Sequence, residues 1–200
     1  MTALWPAFIA TVGSFLDTKI PKTEEATASF IANAYRVAIT TSTIQLAPLP
    51  FAPTVILTTP SVAGIKKGFV EAFNESKEKN TIENSHFNTL SNELISFWEN
   101  VVWNPLPPPP SYVGPDPSGL PLINPGINIQ FAGEVGVISS LLSDVFSPPP
   151  LPSSSGTVFA TRLANAFQAH MYSINGFYKG LVPGIPVPVP GPPFPWIAVT

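Results

Sequence analysis

The sequence predicts a mainly α protein, built from three helical hairpins separated by proline-rich extended arms of polyproline II type. Apolar residues recur at helical spacing in six stretches, and each pair of stretches is followed by a run rich in proline. Because proline fixes φ and has no backbone N–H, a helix must end where such a run begins. The central run extends from Asn104 to Pro125, after the fourth helical stretch.

Charge is scarce and unevenly distributed. Charged residues make up 10% of the 200-residue chain, whereas an ordinary globular protein has about 25%. The second half of the chain holds five of them: Asp116, Glu134, Asp144, Arg162 and Lys179. Since the surface of a free monomer needs more charge than this, we expect other protein to cover much of this half.

Several classes of function are disfavoured by composition. The net charge is −3 without a basic patch, so no nucleic-acid partner is expected. The chain lacks cysteine, which rules out disulfides and thiolate metal sites. The longest uncharged apolar run, Leu181 to Val199, contains seven prolines and therefore cannot be a membrane-spanning helix. The N-terminus lacks the basic start of a signal peptide, and we expect no membrane partner.

The first two hairpins are predicted within residues 1–103. The first helix covers residues 2–17, and the second has Thr23 as its N-cap with two glutamates in its first turn. A proline connector occupies residues 46–58. Thr59 and Pro60 are predicted to start the third helix. Asn80 and Glu83 form a capping-box pattern before the fourth helix, whose apolar stripe reaches Val101.

The third hairpin is predicted within residues 129–180, after a proline-rich segment at 104–128. Its first helix has an apolar stripe from Phe131 to Val145. Its second helix starts at one of the serines at 153–155, carries Phe177 on its stripe and ends at Gly180. Residues 181–200 form a proline-rich C-terminal arm.

The second helix of each hairpin carries an internal repeat. Ala28 to Tyr35 matches Ala160 to Phe167, and Leu90 to Leu94 is a weaker copy. The shared order is an aliphatic residue, a small residue, Asn, any residue and a bulky residue. The small residue favours close helix contact, and the Asn side chain can hydrogen-bond a neighbouring backbone. Chance similarity among amphipathic helices is the alternative.

No motif predicts catalysis. His170 lies on or beside an apolar helix face without a carboxylate three or four residues away, which is typical of a satisfied core or interface histidine. His86 lies near a charged turn, where we expect it to be solvated. Metal-ligand spacing, nucleophile motifs and phosphate-binding loops are absent from the sequence. The sequence therefore predicts that the protein is not an enzyme and that it uses no cofactor or metal.

The proline-rich arms are the candidate interaction sites. Polyproline II has a low cost of ordering, and the apolar residues between the prolines suit a groove on a neighbouring protein. These candidate interface residues are Leu106, Tyr112, Val113, Leu120, Leu122, Ile185, Val187, Val189, Phe194 and Trp196. The predicted role is a structural subunit whose arms lie across neighbours, either copies of itself or other proteins.

A peripheral lytic or membrane-active protein is one alternative, and an adaptor is the other. Pro109-Pro110-Ser111-Tyr112 matches the P-P-x-Y ligand of WW domains. In that case the prolines would recruit SH3 or WW modules instead of joining an assembly.

One family resemblance favours the assembly. Phe97-Trp98, the run from Asn104 to Pro110, the stretch from Leu122 to Gly126, Ala164-Asn165-Ala166-Phe167, and the segment from Gly180 to Trp196 resemble virion structural proteins of large tailed phages, including T4-like marine and cyanobacterial myoviruses. The resemblance covers mainly residues 85–200. It implies a component of the neck, tail or baseplate, assembled in the host cytoplasm into the virion, and it supplies no functional residues.

Overall fold

A computed structural model describes residues 5–18, 22–40, 44–46, 49–55, 61–105, 113–115, 121–147, 155–181 and 188–195. Within these ranges the chain forms six α-helices, which confirms the mainly α prediction. They are α1 (Trp5–Asp17), α2 (Glu24–Thr40), α3 (Val62–Lys79), α4 (Asn88–Glu99), α5 (Val135–Phe146) and α6 (Gly156–Ser173). A 3₁₀ turn (Asn84–Phe87) precedes α4.

The six helices form a closed ring. Each helix packs against the next in sequence, and α6 packs against α1. Glycines make this closure possible. A Cβ on Gly156 would lie 2.6 Å from the backbone oxygen of Gly13, and a Cβ on Gly13 would lie 2.9 Å from the Cα of Thr157. The start of α6 therefore approaches α1 at backbone distance.

Aromatic side chains fill the centre of the ring. Tyr35 of α2 contacts Phe97 of α4 and Phe167 of α6, with ring centroids 5.5 and 4.5 Å apart. Phe8 of α1 meets Phe167 edge-on at 5.8 Å. All four side chains are buried in one continuous core. These aromatic side chains come from α1, α2, α4 and α6 and meet at one place. No single hairpin could therefore form this core by itself.

Two of the predicted helix starts are confirmed. Thr23 caps α2, since its hydroxyl accepts a hydrogen bond from the Ala26 N–H. Ser155 caps α6 in the same way. For α3 the N-cap is Ser61, whose hydroxyl accepts from the Ala63 N–H. The predicted start at Thr59 and Pro60 lies outside the described residues.

The predicted capping box at Asn80 and Glu83 is wrong. Asn80 ends α3 in the left-handed conformation, with φ 52°, which asparagine tolerates better than most residues. Glu83 precedes the 3₁₀ turn without a side-chain capping bond. The same residue type that favours an N-cap thus serves as a C-cap here.

Three residues predicted on helices lie in strands instead. Val101 begins β3 (Val101–Pro105), Phe131 ends β5 (Pro121–Phe131), and Phe177 lies in β6 (Asn175–Leu181). α6 therefore ends at Ser173 and not at Gly180. Apolar residues that alternate in a strand can coincide with a helical stripe over a few positions, which explains the error.

The strands form two antiparallel sheets. The first has the order β1 (Ile44–Leu46), β2 (Leu49–Val55), β3, and the second has the order β4 (Val113–Pro115), β5, β6, β7 (Pro188–Pro195). Because α2, α4 and α6 each lead into a strand while α3 and α5 each follow one, the strands gather at one end of the ring. Parts of the predicted polyproline arms are therefore paired strands.

The described part of the C-terminal arm pairs with its own chain. β7 contains five prolines and aligns with β6 from Pro195 opposite Asn175 to Pro188 opposite Leu181. β7 is an edge strand, which is where a sheet tolerates proline because one side of the strand needs no N–H donors. This pairing corresponds to fold-back onto the chain that carries the arm.

Candidate interaction surfaces

The internal repeat occupies equivalent places in the ring. Matching residues are buried at five equivalent positions of α2, of α6, and of α4 with the 3₁₀ turn before it, each less than 2% exposed. The matched sets are Ala28, Phe87 and Ala160; Ile31, Leu90 and Leu163; Ala32, Ser91 and Ala164; Tyr35, Leu94 and Phe167; Ile39, Trp98 and Met171. The three copies of the repeat therefore pack into the core through the same set of positions.

The repeated asparagine faces outward. Asn33, Asn92 and Asn165 are all exposed. The Asn33 side chain donates to the backbone oxygen of Ser29 in its own helix, at 2.8 Å, so the predicted bond to a neighbouring backbone is wrong for this residue. Packing in the core explains the other repeated positions but not this one.

His170 is buried and hydrogen-bonds α6 to the segment between β5 and α5. It is 2% exposed, and its Nε2 lies 2.7 Å from the backbone oxygen of Ala132, between β5 and α5. Because a carbonyl oxygen only accepts, Nε2 carries the proton. Burial lowers the pKa of His170, although the bond to Ala132 acts in the opposite direction. The burial matches the predicted core histidine, but only Nε2 is satisfied, since the buried Nδ1 has no hydrogen-bond partner among the described residues.

The prediction that His86 is solvated is wrong. The residue is 2% exposed and lies in the 3₁₀ turn, where its Nδ1 is 3.2 Å from the Ser76 hydroxyl of α3. Its Nε2 lies 3.9 Å from the Glu83 carboxylate. The turn places the imidazole against the end of α3. The charged residues near His86 in the sequence therefore lie around a buried side chain.

The described residues show neither a metal-binding cluster nor a membrane-spanning helix. Within the described ranges, His, Asp and Glu side chains never gather in groups of three or more that could hold a metal ion. In those same ranges every helix is too short or too polar to cross a bilayer.

The charged side chains concentrate on α3 and its surroundings. Lys67 pairs with Glu71 at 3.6 Å, and Lys79 pairs with Glu75 at 3.7 Å. Lys77 bridges to Glu24 of α2 at 2.9 Å. The hydrogen bond from Lys77 lowers the pKa of Glu24. All of these carboxylates are well exposed, which makes α3 the water-facing side of the ring.

Large apolar side chains are exposed on other helices. Val37 of α2 is 54% exposed, Val137 of α5 is 51% exposed and Tyr172 of α6 is 47% exposed. Val158, near the start of α6, is also exposed. Single exposed apolar residues are common on any protein. Here α5 and α6 carry one charged residue each, Asp144 and Arg162, whereas α2 carries three.

A groove of about 470 Å³ lies between α1 and α2. Its walls are mostly apolar or small, and none of its lining residues is charged. The lining consists of Ala7, Phe8 and Thr11 of α1 and Ala26, Ser29, Phe30, Asn33, Ala34, Val37 and Ala38 of α2. It therefore joins Asn33 of the repeat and Val37, the most exposed valine among the residues with described side chains, in one surface.

The predicted interface residues fall into two groups. Four lie in strands: Val113 opposite Ile123, Leu122 opposite Gly114, Val189 opposite Gly180 and Phe194 opposite Gly176. The other six lie outside the described residues: Leu106, Tyr112, Leu120, Ile185, Val187 and Trp196. The described strands place the first group in the second sheet.

Sequence reasoning missed the groove, although its signal was present. Ala26, Phe30, Asn33 and Val37 recur at alternating intervals of four and three residues, which marks a second stripe on α2. The stronger stripe of buried residues on the same helix hid it. Comparison with protein-family models, with curated proteins and with solved structures finds no match to this chain.

Proposed function

We propose that this chain is a structural subunit of a large protein assembly, specifically of a phage particle, and that it acts by packing against neighbouring subunits. One observation carries the proposal: outside α3 and its surroundings the helical ring has few charges and exposes large apolar side chains such as Val37 and Val137. Apolar surface marks protein contacts where it is contiguous, as it is in the groove lined by Phe8, Phe30 and Val37.

The groove between α1 and α2 supports the same role. Its uncharged walls suit another protein surface, whereas a nucleic-acid partner needs a basic patch. The charged face of α3 then remains toward solvent. The resemblance to virion structural proteins of tailed phages specifies the particle, with the neck, tail and baseplate as the proposed locations.

Fractionation of infected cells tests this function. An antibody against the chain is used to follow it through a density gradient that separates intact particles from free protein. We expect it to sediment with particles and to remain there after a wash at high salt, because apolar contacts are not screened by salt. Recovery only in the free-protein fractions, with particles lacking the chain, would refute the proposal.

A further inference from the structure

The groove-lining stripe of α2 is self-complementary in shape, because it has a large side chain at one end and a small one at the other. Ala26, Phe30, Asn33 and Val37 all line the groove, at the spacing that places side chains along one line of a helix. At one end Val37 protrudes, with 54% of its surface exposed. At the other end Ala26 leaves room for a side chain of that size.

We propose that this face binds the same face of a second copy of the chain, with the two α2 helices antiparallel about a twofold axis. In a twofold interface, if residue i meets residue j, then j also meets i. Suppose that Val37 lies against Ala26 of the second copy. The twofold axis then passes between Ile31 and Ala32, which is the midpoint of both 26–37 and 30–33. Phe30 therefore lies against Asn33 of the second copy. Each protruding side chain then meets a smaller or polar one.

The charges of α2 fit the same arrangement. Glu25 and Arg36 are eleven residues apart, close to three full turns, so they lie along one edge of the helix. Antiparallel pairing brings Arg36 of one copy near Glu25 of the other. Among the described residues neither forms an ion pair, whereas the neighbouring Glu24 is paired with Lys77. The interface therefore supplies partners for two charges.

The lining of the groove favours a helix as the occupant. Ala26, Ser29, Ala34 and Ala38 are small, and small side chains let a second helix approach closely. Since none of the lining residues is charged, the contact desolvates no charge in the groove. This inference goes beyond the proposed function, because incorporation into a particle through other surfaces does not require it.

Oligomeric state tests the dimer. The wild-type protein is expected to sediment as a dimer in analytical ultracentrifugation, with dissociation on dilution. Val37→Glu should give a monomer of unchanged helicity, since the residue is largely exposed. Val137→Glu is the matched control, because Val137 is 51% exposed on α5, and it should remain dimeric. A monomeric wild type, or dissociation by the control but not by Val37→Glu, would overturn the proposal.

Cysteine cross-linking tests the register. The chain has no cysteine, so Ala26→Cys combined with Val37→Cys should form disulfide-linked dimers without background. Each single variant should stay uncross-linked, because identical positions lie eleven residues apart along the pair, roughly 16 Å, beyond the reach of a disulfide. A dimer in which the double variant does not cross-link, or in which a single variant does, contradicts the antiparallel pairing.

Charge exchange tests the orientation independently. Glu25→Arg alone and Arg36→Glu alone should each weaken the dimer, and the double exchange should restore wild-type dissociation. If the double variant is weaker than both single variants, these residues do not meet. A stable monomer with normal incorporation into particles would refute the dimer and leave the proposed function standing.

Discussion

The indole N–H of Trp98 donates a hydrogen bond to the phenol oxygen of Tyr35 at 2.8 Å, inside the helical ring. Both side chains are fully buried, and burial raises the pKa of Tyr35, so the phenol stays neutral. The bond joins α4 to α2, which are not neighbours around the ring. It therefore fixes two helices across the core.

Replacement of Trp98 should show how much this hydrogen bond contributes to the free energy of unfolding. We expect Trp98→Ala to lower the free energy of unfolding by about 3–5 kcal/mol, because a large core side chain is removed. Trp98→Phe keeps most of the apolar volume but removes the donor to Tyr35, at a cost of about 1–3 kcal/mol. Urea denaturation measures both changes.

A double-mutant cycle isolates the pair. Trp98→Phe with Tyr35→Phe should cost less than the two single changes together, since no buried oxygen is then left without its donor. Strict additivity would show that the two side chains do not interact.

His170 should make stability depend on pH. Its pKa is lowered in the folded protein from the ordinary value of 6.5, so the unfolded chain binds the proton more readily. Stability is thus fully present above pH 6.5 and falls as the pH drops below it, by at most about 1.4 kcal/mol per pH unit. Urea unfolding between pH 8 and 5 measures the slope.

His170→Gln is the control for this prediction. Glutamine can still donate to the Ala132 oxygen but does not titrate in this range. The variant should lose part of the slope below pH 6.5. An unchanged slope would assign the pH dependence to other groups.

Two nearby glycines should respond oppositely to alanine. Gly133 has φ 111°, and a Cβ there would lie 3.0 Å from Nε2 of His170, so Gly133→Ala should destabilise the protein by more than about 1 kcal/mol. Gly136 lies in α5 with open space around a Cβ, and Gly136→Ala should stabilise it by about 0.5–1 kcal/mol. Thermal unfolding of both variants measures the difference. The same sign of change at both sites would contradict the backbone described here.

A polar seam between α4 and α5 offers a further test. The Ser139 hydroxyl donates to the Asn88 side-chain oxygen at 3.0 Å and lies 2.9 Å from the Ser91 hydroxyl. Ser139→Ala removes the bond to the exposed Asn88 side chain and the contact with the buried Ser91 hydroxyl, which still donates to the Phe87 backbone oxygen. It should cost about 0.5–1.5 kcal/mol, the net value of an ordinary hydrogen bond. Denaturant unfolding tests this, with Ser140→Ala, one residue along the same helix, as the control. Equal effects would show that the seam adds nothing to stability.

The sequence predicted the helices better than their ends or their arrangement. The apolar period of α2 and α6 is unbroken over several turns, and Thr23 and Ser155 are local caps, so these features depend on nearby residues only. Phe131 and Phe177 were misassigned because strand and helix patterns overlap over short distances. Closure of the ring depends on contact between Gly13 and Gly156, which are far apart in the chain, and no local pattern contains that information.

The candidate surface could likewise be predicted only in part from the sequence. The scarcity of charge predicted contacts with other protein, but it did not say which face makes them. The groove lies between α1 and α2 and is lined by Ala7 of one helix and Ala26 of the other, and residues on two different helices become one surface only after folding. The burial of His86 was missed for a related reason, since the 3₁₀ turn that buries it follows a charged helix end.

A reconstruction of the native particle by electron cryomicroscopy tests the central claim most directly. We expect density for a closed ring of six helices at repeated positions in the neck, tail or baseplate, with the charged face of α3 toward solvent and the uncharged faces of α1, α2 and α6 against neighbouring protein. A fully interpreted map without such a ring would contradict the account. So would a ring whose α3 face is buried while the groove between α1 and α2 faces solvent.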